Sequence, residues 1–256
     1  MNAWTKMDAR NAAERLAAAR EKVGQARRAL RDAVSQAATW TDPDGHLTAE
    51  GVRAERERRA QAARDRYLPE LEQLRAQVES DRETVARYTE RARPRLGDDA
   101  AAATRAALTW EGVRARLDAG MSPARILATA DADTALVLEQ YGPAWLEARA
   151  YAANPHAEPD PGQLAGFRAA VAARLEEVTT GDARDALRIA RRAELAAAGV
   201  GPLLEDAAVV AAGGQGDALA SAIASRLEVE SAERAAAAWQ ADDVAAPLAG
   251  TDDGAA

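Results

Sequence analysis

Leu16, Val23 and Leu30 recur every seven residues, with Ala9 before them and Ala37 after. Ala12, Ala19, Ala26 and Ala33 stand three residues behind the first four of these. Written as a heptad, position a holds Ala9, Leu16, Val23, Leu30 and Ala37, and position d is almost all alanine. So narrow a stripe at this period predicts a helix from Asp8 to about Ala38, on the order of 45 Å long, whose seam lies against another helix. Alanine at d removes side-chain bulk, so a partner backbone can come close. The repeat leaves open whether that partner is the same chain or a second copy.

Asp42-Pro43-Asp44-Gly45 then breaks the pattern with turn chemistry: proline presets φ and glycine permits a positive one. A second helix is expected from Thr48, its cap, to about Ala92, before Pro94 and Gly97. Its seam is Leu71, Leu74, Val78, Val85, Tyr88 and Ala92, interrupted by Asp81, which fixes register at some cost in stability. Pro69 removes an amide donor, so a kink or restart is expected near Leu68. Two long helices joined by a short turn make an antiparallel hairpin.

From Asp98 the elements shorten. Asp98 is a candidate cap for an alanine-rich helix stopping near Leu108, and Thr109 begins another that ends at Gly120. Ser122-Pro123, Asp133 and Gly142-Pro143 mark further starts. Helices are expected at about 163–179, 183–198, 202–211 and 218–239, the last with Leu219, Ile223, Leu227 and Trp239 facing inward. No strand alternation and no repeat of constant length occur. The fold expected is all-α: a long coiled-coil-like hairpin with an Ala-rich seam over 1–97, a short-helix region at 98–153, a proline-rich linker at 154–162, a helical bundle region at 163–240, and an acidic disordered tail at 241–256.

Composition sharpens this picture. Apolar residues make up 48% of the 256, but aromatics only 4%, so many small side chains and few large ones are buried. Stability must then come from helix propensity and long helix contacts. There is no cysteine, which excludes disulfides, thiolate metal sites and cysteine nucleophiles. No signal-peptide core and no apolar run of membrane-spanning length occur, so a cytoplasmic protein is expected, or a virion-associated one if phage-encoded. The net charge of −8 is uneven: residues 1–97 hold 20 Lys/Arg against 16 Asp/Glu, and residues 98–256 hold 13 against 25. An acidic C-terminal part argues against general nucleic-acid binding there and makes head-to-tail association of chains electrostatically feasible.

Candidate chemistry mostly fails on spacing. A calcium loop with Gly45 at its sixth position would need carboxylates at Trp40 and Gly51. His46 and His156, the two histidines, lie in separate turn-rich segments and make no zinc site by themselves. No serine sits in a Gly-x-Ser-x-Gly elbow, and Gly213-Gly214-Gln215-Gly216 lacks the Lys-Ser/Thr of a phosphate loop. An enzyme would have to use carboxylates of the later helices, such as Asp131, Asp133 or Glu139, as metal ligands. Residues 113–127 have the helix, glycine turn and capped second helix of a helix-turn-helix, but the adjoining residues 130–138 are acidic and then apolar. Trp110, Tyr141, Trp145 and Tyr151 gather aromatics in one stretch, as small-domain core or as partner anchors.

His46-Leu47-Thr48-Ala49-Glu50-Gly51-Val52-Arg53, leading into a charged helix, resembles a Leu-Thr-Pro-Glu-Gly-Arg element of helical structural proteins from tailed phages of actinobacteria. Ala49 replaces the proline and Val52 displaces the arginine by one. The resemblance covers about ten residues and implies a virion or scaffold-like component, with no catalytic residue to carry over.

The expectation is a non-enzymatic structural or assembly protein acting through helix–helix contacts, with no catalytic, cofactor or metal site. Its partner would be a protein or a second copy rather than nucleic acid or membrane. The alternative is a nucleic-acid-associated regulator using the 113–127 corner.

Overall fold

The computed structural model describes residues 5–153, 161–214 and 216–241, without the side chains of 153, 161, 232 and 235–241. The linker residues 154–160 with His156, the tail residues 242–256 and the Trp239 side chain therefore lie outside the description. The described residues form helices and no strand: α1 (Lys6–Thr39), α2 (Ala49–Ala92), α3 (Ala100–Asp118), α4 (Pro123–Thr129), α5 (Ala132–Ala153), α6 (Pro161–Val178), α7 (Gly181–Ala197), α8 (Val200–Ala211) and α9 (Ala218–Ala241). The fold is all-α. Two compact units form, residues 1–91 with 189–230, and residues 92–188 with 231–256. They do not follow chain order, because α8 and the start of α9 return to the N-terminal helices.

In the first unit, α1 begins with a reciprocal capping box. Asp8 N–H donates to Thr5 Oγ1 at 3.2 Å and Thr5 N–H to Asp8 Oδ2 at 2.8 Å. After α1, the Asp42 carboxylate accepts from the Leu47 amide at 2.7 Å and the Asp44 amide at 3.2 Å, which rounds the turn. Those amide donors hold the Asp42 carboxyl below its usual range, the Leu47 bond foremost. Arg56 Nε donates to the Trp40 carbonyl at 2.7 Å, and Arg15 reaches Asp81 at 2.6 Å, so α1 and α2 run antiparallel. Pro69 lies inside α2 without ending it.

α8 packs closely against α1. The alanines of α1 are thus matched by an equally slim neighbour: Ala26 and Leu30 pack with Ala207 and Val210 of α8, and Leu71 of α2 joins them.

The second unit is built on α5, which packs against α3 and α6. Its core includes Val113, Leu117, Ile126, Leu138, Phe167 and Leu175. Here the helices run through two expected stops. Thr109 and Trp110 lie in the middle of α3, and Gly142-Pro143 inside α5. The α5 case has a packing reason: a Cβ on Gly142 would meet the ring of Phe167, with Cε1 at 2.6 Å. The glycine admits Phe167, the largest fully buried side chain of the unit. Two expected caps also shift. Asp99 rather than Asp98 caps α3, accepting from Ala102 N–H at 2.7 Å, and Asp131 rather than Asp133 opens α5, accepting from Thr134 N–H at 2.9 Å. The Thr134 amide and hydroxyl hold the Asp131 carboxyl below its usual range.

Candidate functional site

The first seam residues, Ala9, Ala12, Leu16, Ala19 and Val23, are buried, as are Ala26, Leu30 and Ala37; Ala33 is half-buried. Along α2, Leu71, Val78, Val85 and Tyr88 are buried and Leu74 is half-buried. Asp81 is also buried within this seam, where its carboxylate takes a forked contact from Arg15 Nε and Nη2. A buried carboxylate needs such a partner, so the pair pins the register of the hairpin.

A second buried ion pair joins residues far apart in sequence. The guanidinium of Arg27 on α1 lies 3.2 Å from Asp206 Oδ2 on α8, with side-chain exposures of 7% and 3%. Arg27 also donates to Ser221 Oγ on α9. Arg31 approaches the same Asp206 oxygen at 3.5 Å and donates to the Gly216 carbonyl at 2.6 Å. Asp206 Oδ1 and Arg27 Nε find no partner among the described residues. The cluster ties α1, α8 and α9 together through charge-assisted hydrogen bonds.

The same cluster explains why α9 is turned the opposite way from its expected orientation. Its inward side chains are Ser221 and Ser225, not leucines. Ser221 serves Arg27, and Ser225 lies so near Gly199 that a Cβ there would strike the Ser225 carbonyl. Glu228 accepts from the Gly199 amide at 2.8 Å. Leu219, Ile223 and Leu227 consequently face outward, 71%, 48% and 51% exposed. The serine row at i, i+4 was the signal for this docking face, and apolar periodicity alone passes over it.

Among the aromatics of the second unit, Trp110 stacks on Tyr141 with centroids 5.5 Å apart. Trp110 and Trp145 rest against the core, and Trp145 Nε1 donates to Asp118 at 3.0 Å. Tyr151 is exposed. In the 113–127 corner, Val113, Leu117, Ile126 and Leu127 belong to the core. Arg114 pairs with Asp118 and Arg116 donates to the Gly112 carbonyl, both within α3.

Near the hairpin turn a groove of about 560 Å³ opens between α1 and α2. Ala33 and Ala37 line one side, Ala62 and Ala63 the other, and Trp40 and Tyr67 stand as walls. Arg59 lies 4.4 Å over the Trp40 ring and Arg66 5.2 Å over Tyr67. Glu55 bridges Arg58 at 2.7 Å and Arg59 at 2.8 Å, and these two guanidiniums pull its carboxyl down to about 2.

Among the described residues, no group of three or more His, Asp or Glu side chains could hold a metal ion, and Asp131, Asp133 and Glu139 do not form such a group. Glu139 instead pairs with Arg93. No helix among those residues is long and apolar enough to cross a membrane. No protein-family model matches the chain, and neither a curated protein nor a solved structure matches it.

Proposed function

We propose that this is a non-enzymatic helical structural or assembly protein that works through helix–helix contacts, of the kind that serves as a virion or scaffold-like component of a tailed phage. The observation that supports this reading is the outward ridge of Leu219, Ile223 and Leu227 on α9. Among the described residues the other exposed large aliphatics, Met7, Leu47, Leu108 and Val209, each lie on a different element or in the turn and form no such row, which is ordinary for a protein surface. Three in one row at i, i+4, i+8 form the ridge that fits the groove of a second helix. Arg226 and Glu230 beside them pair with each other at 2.6 Å, so the ridge carries little net charge. The partner it suits is a protein helix, from another copy or another component, rather than a polyanion. The His46–Arg53 element supports the phage assignment.

The test is to purify tagged wild-type protein and an Ile223→Glu variant from the producing cells and to identify by mass spectrometry what comes with each. A dominant coat-like or other self-assembling protein that is lost with the variant supports the reading. Co-purifying nucleic-acid machinery, or a set of partners indifferent to the substitution, refutes it.

A further inference from the structure

Leu219, Ile223 and Leu227 stand on the face of α9 opposite Ser221 and Ser225, the side chains that dock the helix on its own unit. While those contacts hold, the ridge points to solvent, and whatever covers it comes from another molecule. The same unit holds an apolar hollow that its own side chains leave open. The groove at the hairpin turn exists because α1 and α2 both present alanine there, and alanine cannot fill the space that leucine and valine close further along. One chain thus carries both halves of a contact, a row of aliphatic knobs without a hole and a hole without knobs.

The lengths agree. Leu219 and Leu227 are eight residues apart, roughly 12 Å along a helix. On α2 the groove runs from Arg59 to Tyr67, also eight residues, and on α1 from Ala33 to the cap residue Trp40. A helix laid in the cleft between two others meets them with a stripe at i, i+4 and i+8.

Charge selects the direction. The groove is lined by Arg59 and Arg66 and, among the described residues, by no carboxylate. Glu55 already answers Arg59, whereas Arg66 rests on the Tyr67 ring and forms no ion pair among those residues. On the side of the ridge, Asp217, Glu228 and Glu230 outnumber Arg226. Glu230 follows Leu227 by three residues and continues its stripe. Its bond to Arg226 is an i,i+4 pair on the surface, weak and readily exchanged. Bringing Glu230 to Arg66 sets Leu227 toward Tyr67 and Leu219 toward Trp40.

We propose that the α9 ridge of one copy lies in the hairpin groove of the next, with Glu230 on Arg66. The pairing rests on the ridge being a helix-docking surface, the reading given above, and makes its partner a second copy of this chain. Ridge and groove are different patches, so the contact is head-to-tail. Each copy offers one of each, and association runs on into rings or open chains instead of closing at a symmetric dimer. Three aliphatic side chains cover far less than the roughly 800 Å² per partner of a standard interface, so a single contact is weak and forms at high protein concentration.

The test is sedimentation velocity on the full-length chain from about 10 μM to about 1 mM, the range of weak association. The sedimentation coefficient should climb with concentration past that of a dimer. Ile223→Glu removes the ridge and Ala62→Trp fills the groove, and each variant alone should stay monomeric. Both positions are exposed, so circular dichroism should not change. Mixed in equal amounts, the two variants should form a dimer and nothing larger, because one intact groove and one intact ridge remain. Arg66→Glu should weaken association about tenfold, and adding Glu230→Arg should restore it. Wild type that stays monomeric throughout overturns the proposal, as does a mixture that forms no dimer. An Ala62→Trp variant that associates like wild type also overturns it, since ridge would then be packing on ridge. The ridge itself remains a docking surface in each of these cases if Ile223→Glu still strips the co-purifying protein; if that effect is absent too, the reading above falls with it.

Discussion

Removing the Asp206 carboxylate should be among the most damaging single changes the first unit can suffer. Arg27 and Asp206 are both almost wholly buried, and Arg31 leans on the same oxygen. Asp206→Leu leaves Arg27 charged in a place water does not reach. Breaking a buried pair from one side costs about 3–5 kcal/mol, because the surviving charge keeps its desolvation penalty and loses its partner. In urea, with a slope of about 1–3 kcal/mol per molar, that is a fall of one molar or more in the unfolding midpoint. Replacing both partners together, Arg27→Met with Asp206→Leu, removes the stranded charge and should recover most of the loss. Unfolding monitored by circular dichroism at 222 nm gives the four corners of this cycle. A loss below about 1 kcal/mol for Asp206→Leu would refute the reasoning, and so would a double variant no more stable than the single one.

The other expectations are smaller. Gly142→Ala drives a methyl into Phe167 and should destabilise the second unit by about 1–3 kcal/mol, read as a lowered thermal midpoint. Ala26→Leu should overpack the contact of α1 with α8 at similar cost, and an unchanged midpoint would count against close packing there. Ile223→Glu, on an exposed ridge, should change unfolding free energy by no more than about 0.5 kcal/mol while reducing self-association or partner capture in light scattering and pull-down. Carboxyl NMR should find Glu55 titrating at about 2 rather than at the ordinary 4.5. Because its folded pKa is depressed, its contribution is complete above pH 4.5 and disappears as pH falls toward 2; Asp42 and Asp131, lowered in the same direction, weaken the turn and the start of α5 only below their ordinary value of 3.8.

Local signals carried most of the helix inventory. The heptad of α1, the Thr48 and Ser122 caps and the Gly120 stop are written in a few adjacent residues, and the corresponding helices start and end close to where those residues put them. What could not be read locally was which face α9 would present. The orientation of α9 is decided by Arg27, which lies 194 residues before Ser221, and by the close approach of Gly199. Leucine looks inward-facing only until a buried guanidinium elsewhere needs a hydroxyl. Gly142-Pro143 reads as a boundary for the same kind of reason: the ring that makes glycine necessary there belongs to a residue of α6. The hairpin groove is likewise a product of two alanine stretches that meet only once the turn is made.

The first unit is assembled from two stretches of chain, 1–91 and 189–230, with the intervening residues folding elsewhere. During synthesis this sets an order. The packed core of α3 to α6 is complete in sequence long before α8 is made, while α1 and α2 must wait for α8. At about 5–20 residues per second, the intervening hundred or so residues take roughly 5–20 s to make. For that interval the alanine seam, Leu30 and the charge of Arg27 have only α2 beside them, and a second nascent chain on the same messenger offers an equivalent surface. Long-range closure of this kind is slow and exposes unfinished helix faces. Deleting the last stretch of the chain should therefore leave the amino-terminal hairpin stranded, even though every residue of that hairpin is still present.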